Sequence, residues 1–553
     1  MFNCDVLIVG GGPVGLFLAA ELGQRGVSVQ LCDNKPGTSV HPAANANSAR
    51  TMEHFRRIGI SPAVRASGLP SSYAPDIAYF TSIAGHELAR LEQPTSADAV
   101  RWAADHLYTW PTAEPPHRCS QLYIEPILLD CARRQASCDI AFSAQMENFT
   151  QDEHGVTALV AFAATADRPA QTRSIRARYM VGCDGPRSAV RKGLNIRYDG
   201  VAGEKRGFMG GQMEAVYFYA PGLYEAGAHK PAWQYWTFGP TQRALVIAVD
   251  GTGHFIMNVQ AVEGEAPSDE NIRRRIATAI GADIPFEVKS KSSWTAGFAL
   301  VAERLGIGRV FLAGDAAHLF TPTGGLGYNT GIEDAANLAW KLEAMVKGFA
   351  DGRLGESYHV ERHPIALRNT RFAREFADSI GHIHPPEATY EDSEIGASMR
   401  EALGDYLAFH AYREFVIPGV QLGTRYEDSP LVEIEPGPTT LDSANLYQPC
   451  ARAGHRAPHF WLSDGTSLYD RFGKGFTLLH MDGEVGESNE LLQARALLPG
   501  FSLVRVGDQV VRELYGRKFA LIRPDQHIAW RGNTLDESFL AAVNRTIGKA
   551  GLQ

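Results

Sequence analysis

The sequence predicts an α/β protein in which a Rossmann-like nucleotide-binding domain is assembled from separated stretches of the chain. One observation is a Gly-x-Gly-x-x-Gly turn near the N-terminus, which joins a short apolar strand to a helix. Another is that two later apolar strands, near residues 180 and 310, each run into a Gly/Asp turn. Because open α/β sheets bind ligands at the carboxyl ends of their strands, we expect these turns to converge on one site.

The first 33 residues predict one β-α-β unit. Residues 5–9 are a continuous apolar run, typical of a strand that is covered on both faces. Residues 16–25 place apolar side chains at helical spacing, and Gly26 ends that helix. Residues 27–32 then predict a second strand, which is expected to lie parallel to the first.

The turn inside this unit predicts a dinucleotide site. Gly10 is expected to form the tight turn, Gly12 to let a pyrophosphate approach the backbone, and Gly15 to allow close packing of helix on strand. Pro13 stands where the helix begins, and Asp33 follows the second strand, in position to accept hydrogen bonds from ribose hydroxyls. This turn alone does not distinguish NAD from FAD.

Two further strands are expected to bring carboxylates to the same edge of the sheet. Residues 178–183 run into Asp184 and Gly185, and residues 308–313 run into Gly314 and Asp315. A carboxylate at a strand end can hold the sugar-like chain of a cofactor through hydroxyl contacts. A Gly-rich loop over 321–331 and an apolar-faced helix follow the last of these strands.

The remaining chain predicts three other units. Aromatic and β-branched runs within 205–263 predict antiparallel strands, 356–415 is charged and helical with a His/Pro break at 381–386, and proline-rich 428–449 predicts a linker. The expected domains are a nucleotide-binding domain (1–75, 101–200 and 295–360), an antiparallel sheet domain (76–100 and 201–294), a helical segment (361–430) and a C-terminal domain (440–553).

Composition excludes several classes of protein. The chain has 553 residues, 44% hydrophobic and 21% charged, which is ordinary globular usage. A net charge of −9 leaves no basic surplus for nucleic acid, and no apolar run of about 18 residues predicts a membrane span. Seven cysteines without a C-x-x-C or other metal-binding spacing predict free thiols and no metal site. With no basic and apolar leader, a cytoplasmic location is expected.

Several segments resemble the FAD-dependent class A monooxygenases, the aromatic-ring hydroxylases, in their phenol-hydroxylase-like branch. They are the Gly-x-Gly-x-x-Gly turn, residues 49–53, Gln121 with Glu125, the Asp-Gly segment 183–191, the Gly-Asp segment 310–318 and the loop 322–331. The resemblance covers residues 1–345 and implies a Rossmann-like FAD-binding domain of the glutathione-reductase (GR2) type with an inserted antiparallel substrate sheet. In that family the aspartate of the Gly-Asp motif binds the ribityl chain of FAD.

Carried over position by position, the resemblance implies a set of FAD-binding residues. They are Gly10, Gly12, Pro13, Gly15, Asp33, Arg50, Gln121, Asp184, Gly185, Gly314, Asp315, Pro322, Gly325, Leu326, Gly327 and Asn329. The family commonly has an arginine near the start of the loop after the second strand, where this chain reads His41-Pro42. That departure puts in doubt a positive contact to FAD or to the nicotinamide nucleotide.

The resemblance also implies a substrate pocket between the flavin and the antiparallel sheet. Candidate pocket residues are Phe208, Met209, Gln212, Trp233, Tyr235, Trp236 and Phe238, with ordinary sheet core as the alternative for each aromatic. No general base is identifiable. His318 and Tyr235 are weak candidates, and a structural hydrogen bond is an equally good explanation of His318.

The C-terminal domain resembles the thioredoxin-like third domain of the phenol-hydroxylase branch. Its redox pair is absent, because Cys450 is the only cysteine after residue 183. Since disulfide exchange needs both an attacking and a resolving thiol, that activity is excluded. A structural role or a role in homodimer formation is expected.

The implied reaction is hydroxylation of a phenolic or polycyclic aromatic substrate. In the family, NADPH or NADH binds transiently and reduces FAD, and O2 then forms a flavin C4a-hydroperoxide that transfers oxygen to the ring. Baeyer–Villiger oxygen insertion and epoxidation, as in polyketide tailoring, are alternatives on the same fold. A non-catalytic flavin-fold binding protein is the alternative from another class, although Asp33, Asp184 and Asp315 are all present.

Overall fold

The computed structural model describes residues 2–549 except 106, 165–168, 205, 228, 263–267, 438 and 483–485. In this part of the chain, no helix is both long and apolar enough to cross a membrane. The strands are β1 Cys4–Val9, β2 Val29–Cys32, β3 Ala46–Asn47, β4 Ile77–Phe80, β5 Glu87–Leu91, β6 His117–Arg118, β7 Cys138–Ala141, β8 Ala144–Gln151, β9 Val156–Phe162, β10 Gln171–Gly182, β11 Tyr198–Val201, β12 Gly211–Tyr219, β13 Gln234–Phe238, β14 Arg243–Ala248, β15 His254–Gln260, β16 Glu287–Ala296, β17 Ala299–Ala302, β18 Gly306–Ile307, β19 Val310–Leu312, β20 His318–Leu319, β21 Thr477–His480, β22 Ser502–Arg505, β23 Phe519–Ile522 and β24 Ile528–Gly532.

Helices pack on both sheets. They are α1 Pro13–Gln24, α2 Ala49–Arg57, α3 Ser61–Arg65, α4 Ser96–Ala104, α5 Gln121–Arg133, α6 Ala189–Gly193, α7 Asp269–Ile280, α8 Leu326–Val346, α9 Gly352–Gly381, α10 Glu394–Phe415, α11 Pro418–Leu422, α12 Asn489–Leu497, α13 Gln509–Tyr515 and α14 Glu537–Thr546. Helices α1 and α5 pack on the first sheet, and α7 and α10 pack on the second.

The first sheet has the order β18-β19-β10-β1-β2-β7 and carries the predicted β-α-β unit at its centre. Strand β1 runs parallel to β2 and β10, and β19 runs parallel to β10. The helix of this unit begins at Pro13, three residues before the predicted start, because proline is favoured in the first helical turn. The second strand begins at Val29 rather than at residue 27. The mixed α/β fold predicted from the sequence is confirmed.

The second sheet has the order β16-β12-β15-β14-β13-β4-β5 and is antiparallel except where β13 meets β4. Strands from 77–91 thus join those from 211–296 in one sheet. The sequence analysis did not predict β16, which pairs along the whole of β12. Its reason is composition: β16 is rich in Lys and Ser and lies at the sheet edge, so it has no apolar run to mark it.

The C-terminal unit is a small β-α-β-α-β-β-α fold. Its sheet has the order β22-β21-β23-β24, in which β21 and β22 are parallel and the other neighbours are antiparallel. The unit packs on helix α8, where the Trp340 ring meets the edge of Phe476 at a centroid distance of 5.6 Å. It is therefore attached to the first sheet through the same helix that follows the Gly-rich loop.

Candidate functional site

The three Gly/Asp turns lie side by side at the carboxyl edge of the first sheet. The backbone N–H of Cys183 donates to the Val9 carbonyl at 2.7 Å, and that of Ala313 donates to the Gly182 carbonyl at 3.0 Å. The ends of β1, β10 and β19 are thus hydrogen-bonded to one another in the order that these strands have in the sheet. Turns that lie 130 or more residues apart in sequence are brought side by side.

The glycines of the first turn differ in what surrounds them. A Cβ at Gly15 would lie 2.0 Å from the Gly10 carbonyl oxygen, so only glycine allows this approach of helix α1 to the turn. A Cβ at Gly12 would meet nothing within 4 Å. Gly12 is also the N-cap of α1 and Pro13 its first residue, and no side chain caps the helix. Free N–H groups therefore face open space, an arrangement that suits a pyrophosphate.

Asp33 is fixed at the end of β2. Its Oδ2 accepts from the Gly11 N–H at 2.6 Å and its Oδ1 from the Lys35 N–H at 2.7 Å. A carboxylate oxygen has two lone pairs, so each can accept a further hydrogen bond. The side chain is buried but held next to the open space at Gly12 through its contact with Gly11.

Asp184 presents an oxygen that lacks a partner. Its Oδ2 accepts from the N–H groups of Ala189 and Val190, whereas its Oδ1 is buried without a hydrogen bond from any described residue. Burial raises the pKa of this carboxyl group. An unpaired buried acceptor is costly, so the site fits a ligand that donates a hydroxyl. Gly185 follows with φ +75°, which turns the chain away from the cleft.

The turn at Gly314 and Asp315 is supported from behind by His318. The Gly314 N–H donates to Asp334 Oδ2 at 3.2 Å, and His318 Nε2 lies 2.6 Å from the same oxygen. Asp315 itself is exposed, and no hydrogen bond to its carboxylate occurs among the described residues. His318 is fully buried and contacts the support of the turn, which agrees with the structural alternative given for it.

The Gly-rich loop ends in a second helix N-terminus without a side-chain cap. Gly325, at φ +64°, is the N-cap of α8, and its carbonyl accepts from Asn329 Nδ2 at 2.6 Å. Asn329 also donates to the Ala46 carbonyl and accepts from the Ser48 N–H, at 2.8 and 2.9 Å. Its side chain therefore anchors the start of α8 to the segment at β3, and only its backbone is available to a ligand.

The rest of this loop is fixed by local packing and by one side chain from α10. The Pro322 carbonyl accepts from the Gly325 N–H at 3.1 Å, Leu326 is buried, and Gly327 lies against the Phe320 ring. Glu414 Oε1 accepts from the Gly324 N–H at 2.9 Å. The sequence analysis missed Glu414, because nothing near position 414 indicates a contact with a loop 90 residues earlier.

Arg50 lies in a different environment from the one the resemblance implied. Its guanidinium donates to the Asp525 carbonyl, to Gln526 Oε1 and to Glu53 Oε2, at 2.5, 2.7 and 2.9 Å. These contacts bury it between α2 and the C-terminal unit. We therefore assign Arg50 to the contact between domains rather than to the nucleotide cleft.

Gln121 and His41 both brace the loop that follows β2. Gln121 Nε2 donates to Glu125 Oε1 at 2.5 Å, and Glu125 Oε2 accepts from the Ser39 N–H at 2.6 Å. The ring nitrogens of His41 lie 2.7 and 3.0 Å from two serine hydroxyls of β16. Burial lowers the pKa of His41, so it is neutral at pH 7 and does not replace the missing arginine charge.

The substrate-pocket candidates do not form one wall. Because side chains alternate along a strand, Tyr235 and Trp236 point to opposite faces of β13. Trp236 stacks on Tyr79 with Phe208 at its edge, and Tyr235 packs on Phe80. Residues buried in the sheet core are Phe208, Met209, Trp233, Tyr235, Trp236 and Phe238, whereas Gln212 is exposed. The Tyr235 hydroxyl accepts from the Ala232 N–H at 2.8 Å.

Together these features define a dinucleotide-binding α/β protein. The N-termini of α1 and α8, the Asp184 oxygen that has no partner among the described residues and the exposed Asp315 belong to segments that meet at the carboxyl edge of the first sheet. The open space at Gly12 on this edge is the cleft. This donor and acceptor set fits the phosphates, the hydroxyls and the electron-rich ring of a flavin dinucleotide.

The comparisons with known proteins agree with that class. The FAD binding domain family matches residues 3–373, and the aromatic-ring hydroxylase C-terminal family matches residues 451–550. The chain therefore belongs to the FAD-dependent aromatic-ring hydroxylases, and it is an FAD-dependent monooxygenase. This confirms the resemblance stated from the motifs.

Similarity extends over nearly the whole chain. A 2,4-dichlorophenol 6-monooxygenase from Cupriavidus pinatubonensis is 30% identical over 99% of this chain and 96% of its own. The FAD-dependent monooxygenase apdD from Emericella nidulans is 30% identical over 96% of this chain and 88% of its own. A solved structure of RebC with bound 7-carboxy-K252c superposes with a TM-score of 0.87 at 31% identity, covering 99% of this chain and 100% of that one.

Proposed function

We propose that the protein hydroxylates a phenolic or polycyclic aromatic substrate, with FAD as the bound cofactor and with O2 and NADPH or NADH as co-substrates. The observation that carries this proposal is the convergence of the three Gly/Asp turns and the α8 N-terminus on one cleft beside a sheet rich in aromatic residues. Relatives that carry the names 2,4-dichlorophenol 6-monooxygenase and putative polyketide hydroxylase support the substrate class.

Five groups would hold FAD in this cleft. The α1 N-terminus at Gly12 would bind the pyrophosphate, and Asp33 would accept from ribose hydroxyls. Asp184 and Asp315 would accept from the hydroxyls of the ribityl chain. The N-terminus of α8 would face the flavin ring. When bound, FAD supplies the electron-transfer and oxygen-transfer chemistry.

The protein's own contribution is charge stabilisation and exclusion of water. The N–H groups in the first turn of α8, beginning at Leu326, would favour negative charge on a ring that they face. The buried aromatic side chains of the second sheet keep bulk water from the cleft. Neither His318 nor Tyr235 is free to act as a base, because each is engaged in an internal hydrogen bond.

The C-terminal unit is, in the same proposal, a thioredoxin-like domain without redox activity. Its element order and the sheet order β22-β21-β23-β24 support that description. Cys450 lies before the domain's first strand and has no second cysteine after it. We infer that the unit stabilises the FAD-binding domain or forms a homodimer contact. The division of the chain into the four units given above is part of this proposal.

The test is NADPH and NADH oxidation by the purified protein across a panel of phenols and polycyclic aromatics, with product masses. A substrate-dependent gain of one oxygen atom on the ring is expected. A lactone product would indicate Baeyer–Villiger oxygen insertion in place of hydroxylation, and an epoxide product would indicate epoxidation. A colourless protein that does not take up added FAD would overturn the proposal.

A matched pair of variants makes this test specific to the cleft. Asp315→Ala removes an exposed carboxylate of the turn and is expected to lower FAD retention. Asp199→Ala removes an exposed carboxylate on neighbouring β11, which bonds locally to the Gly200 N–H, and is expected to leave FAD retention unchanged.

A further inference from the structure

A small cavity lies beside the cleft, lined by polar and aromatic side chains that the proposed function does not use. Tyr73, Ser96, Tyr108, His117 and Arg118 contribute to its wall together with several prolines. Its volume is about 40 Å³. A water needs roughly 10–15 Å³ and a benzene-sized ring roughly 150 Å³ by the same kind of measure, so the cavity fits a small polar group rather than a ring.

Arg118 brings an uncompensated positive charge to this cavity. Its guanidinium lies over the Trp233 ring at 4.0 Å from the centroid. In the described part of the chain no ion pair joins Arg118 to a carboxylate, and the one titratable neighbour that affects its pKa is Tyr108. Burial lowers the pKa of Arg118 to about 10, so the group is still charged at pH 7. Arg118 is half-buried and lines the cavity, and a guanidinium without a paired carboxylate can bind an anionic group of a ligand there.

The neighbouring basic groups are accounted for. Arg65 donates two hydrogen bonds to Glu114 Oε2, at 2.8 and 2.6 Å, so its charge is paired. The His117 ring lies 3.2 Å from the Ser96 hydroxyl, and burial lowers the pKa of this histidine to about 3. Arg118 is therefore the group that gives the cavity its positive charge.

The cavity is one strand away from the N-terminus of α8. Arg118 in β6 is the register partner of Ala46 in β3. The Ala46 carbonyl accepts from Asn329 Nδ2, and a Cβ at Gly325 would lie 2.9 Å from the Ala46 methyl group. A ligand group bound at Arg118 would therefore belong to a molecule that reaches toward the proposed flavin position.

We propose that this cavity binds a carboxylate of the aromatic substrate and that Arg118 is its anchor. The planar guanidinium can donate two parallel hydrogen bonds to a carboxylate, and the indole of Trp233 holds its plane in one orientation. The substrate class is thus an aromatic acid with a hydroxylated ring. This inference rests on the proposed function for the role of the bound molecule as substrate.

The experiment compares acids with their neutral amides. The probes are 1-hydroxy-, 3-hydroxy- and 6-hydroxy-2-naphthoate and the three corresponding naphthamides. Their dissociation constants are measured by calorimetry on the FAD-loaded protein. At least one acid is expected to bind tenfold or more tightly than its amide. Arg118→Gln is expected to lower the ratio of the amide to the acid dissociation constant by ten- to a hundredfold. Arg118→Lys is expected to lower the same ratio by less.

Controls separate this effect from misfolding and from general electrostatics. Arg101→Gln removes an arginine on nearby α4 that is 65% exposed and paired with Asp98, and it should leave the acid-to-amide ratio unchanged. FAD content and melting temperature show whether each variant is folded. The proposal is overturned if no acid is preferred, or if Arg118→Gln leaves the ratio as in the wild type. Failure to oxidise NADPH or NADH would count against the proposed function, while the binding ratios would still decide the role of Arg118.

Discussion

Arg523 donates two parallel hydrogen bonds to Glu361, from Nη1 to Oε1 at 2.6 Å and from Nη2 to Oε2 at 2.8 Å, and both side chains are fully buried. Lys341 Nζ donates to the same Oε2 at 2.7 Å. The three residues belong to the C-terminal unit, to α9 and to α8, respectively. The C-terminal unit is thus joined to the FAD-binding part by buried charges that meet at the Glu361 carboxylate.

Glu361→Ala is therefore expected to destabilise the protein strongly. It would leave Lys341 buried without its ion-pair partner and would remove one of the two carboxylates that Arg523 contacts, Glu361 and Asp525. Breaking a buried ion pair of this kind costs about 3–5 kcal/mol. Urea unfolding followed by fluorescence measures the change. The control is Arg134→Ala, which removes an exposed ion pair with Asp130 and should shift the midpoint far less. Equal shifts for the two variants would contradict this account.

The lowered pKa of Glu53 predicts that the free energy of unfolding falls in acid. Burial alone would raise the pKa of Glu53, but Arg456 and Arg50 outweigh it and lower the pKa to about 2 from an ordinary value of 4.5. Because the folded-state pKa is lowered, the contribution is complete above pH 4.5 and is lost as pH falls toward 2. The stability difference between wild type and Glu53→Gln should shrink by up to about 3 kcal/mol over that range.

Unfolding midpoints at pH 6, 4 and 3 measure that difference. Glu375→Gln alters a carboxylate that is 47% exposed, with only a loose partner in Arg371 at 3.8 Å, and it should show no such trend. A difference between wild type and Glu53→Gln that stays constant from pH 6 to pH 3 would show that Glu53 is not held ionised by its arginines.

Two glycines of the first turn are expected to respond differently to alanine. Gly15→Ala would place a Cβ 2.0 Å from a backbone oxygen and should lower the melting temperature even without FAD. Gly12→Ala has space for its Cβ in the free protein, so it should fold normally but bind FAD more weakly. Melting temperature and retained flavin absorbance separate the two effects. Unchanged FAD affinity in Gly12→Ala would contradict a pyrophosphate at this position.

Short-range sequence patterns were enough to predict the first parallel strand and the turn that follows it. The apolar run at 5–9 and the turn at Gly10 mark a parallel strand and its ligand edge whatever the rest of the chain does. The edge strand β16 carries no such pattern, and its position is decided by backbone pairing with β12. Family resemblance, rather than periodicity, identified FAD.

Side-chain partners across long sequence separations could not be predicted. Arg50 fits a cofactor role by position, yet its partners lie some 475 residues later, in a domain whose docking no motif describes. Arg118 lies three residues before Gln121, and no motif in the sequence marks it as a functional residue. Only its stacking on Trp233 and the missing carboxylate distinguish it from a surface arginine.

The last prediction concerns His318, which the structure ties to the support of the Gly314 turn. Its Nε2 lies 2.6 Å from Asp334 Oδ2, and Arg362 Nε donates to Oδ1 of the same carboxylate at 2.8 Å. His318→Asn should therefore weaken FAD binding and lower stability by about 1–3 kcal/mol, the cost of a disrupted buried hydrogen bond. It should not shift the apparent pKa values of kcat/KM, because a residue that positions the turn does not transfer the substrate proton. His86→Asn, at an exposed position, should change neither property. Loss of the acid limb of the pH–rate profile in His318→Asn alone would instead make His318 the base.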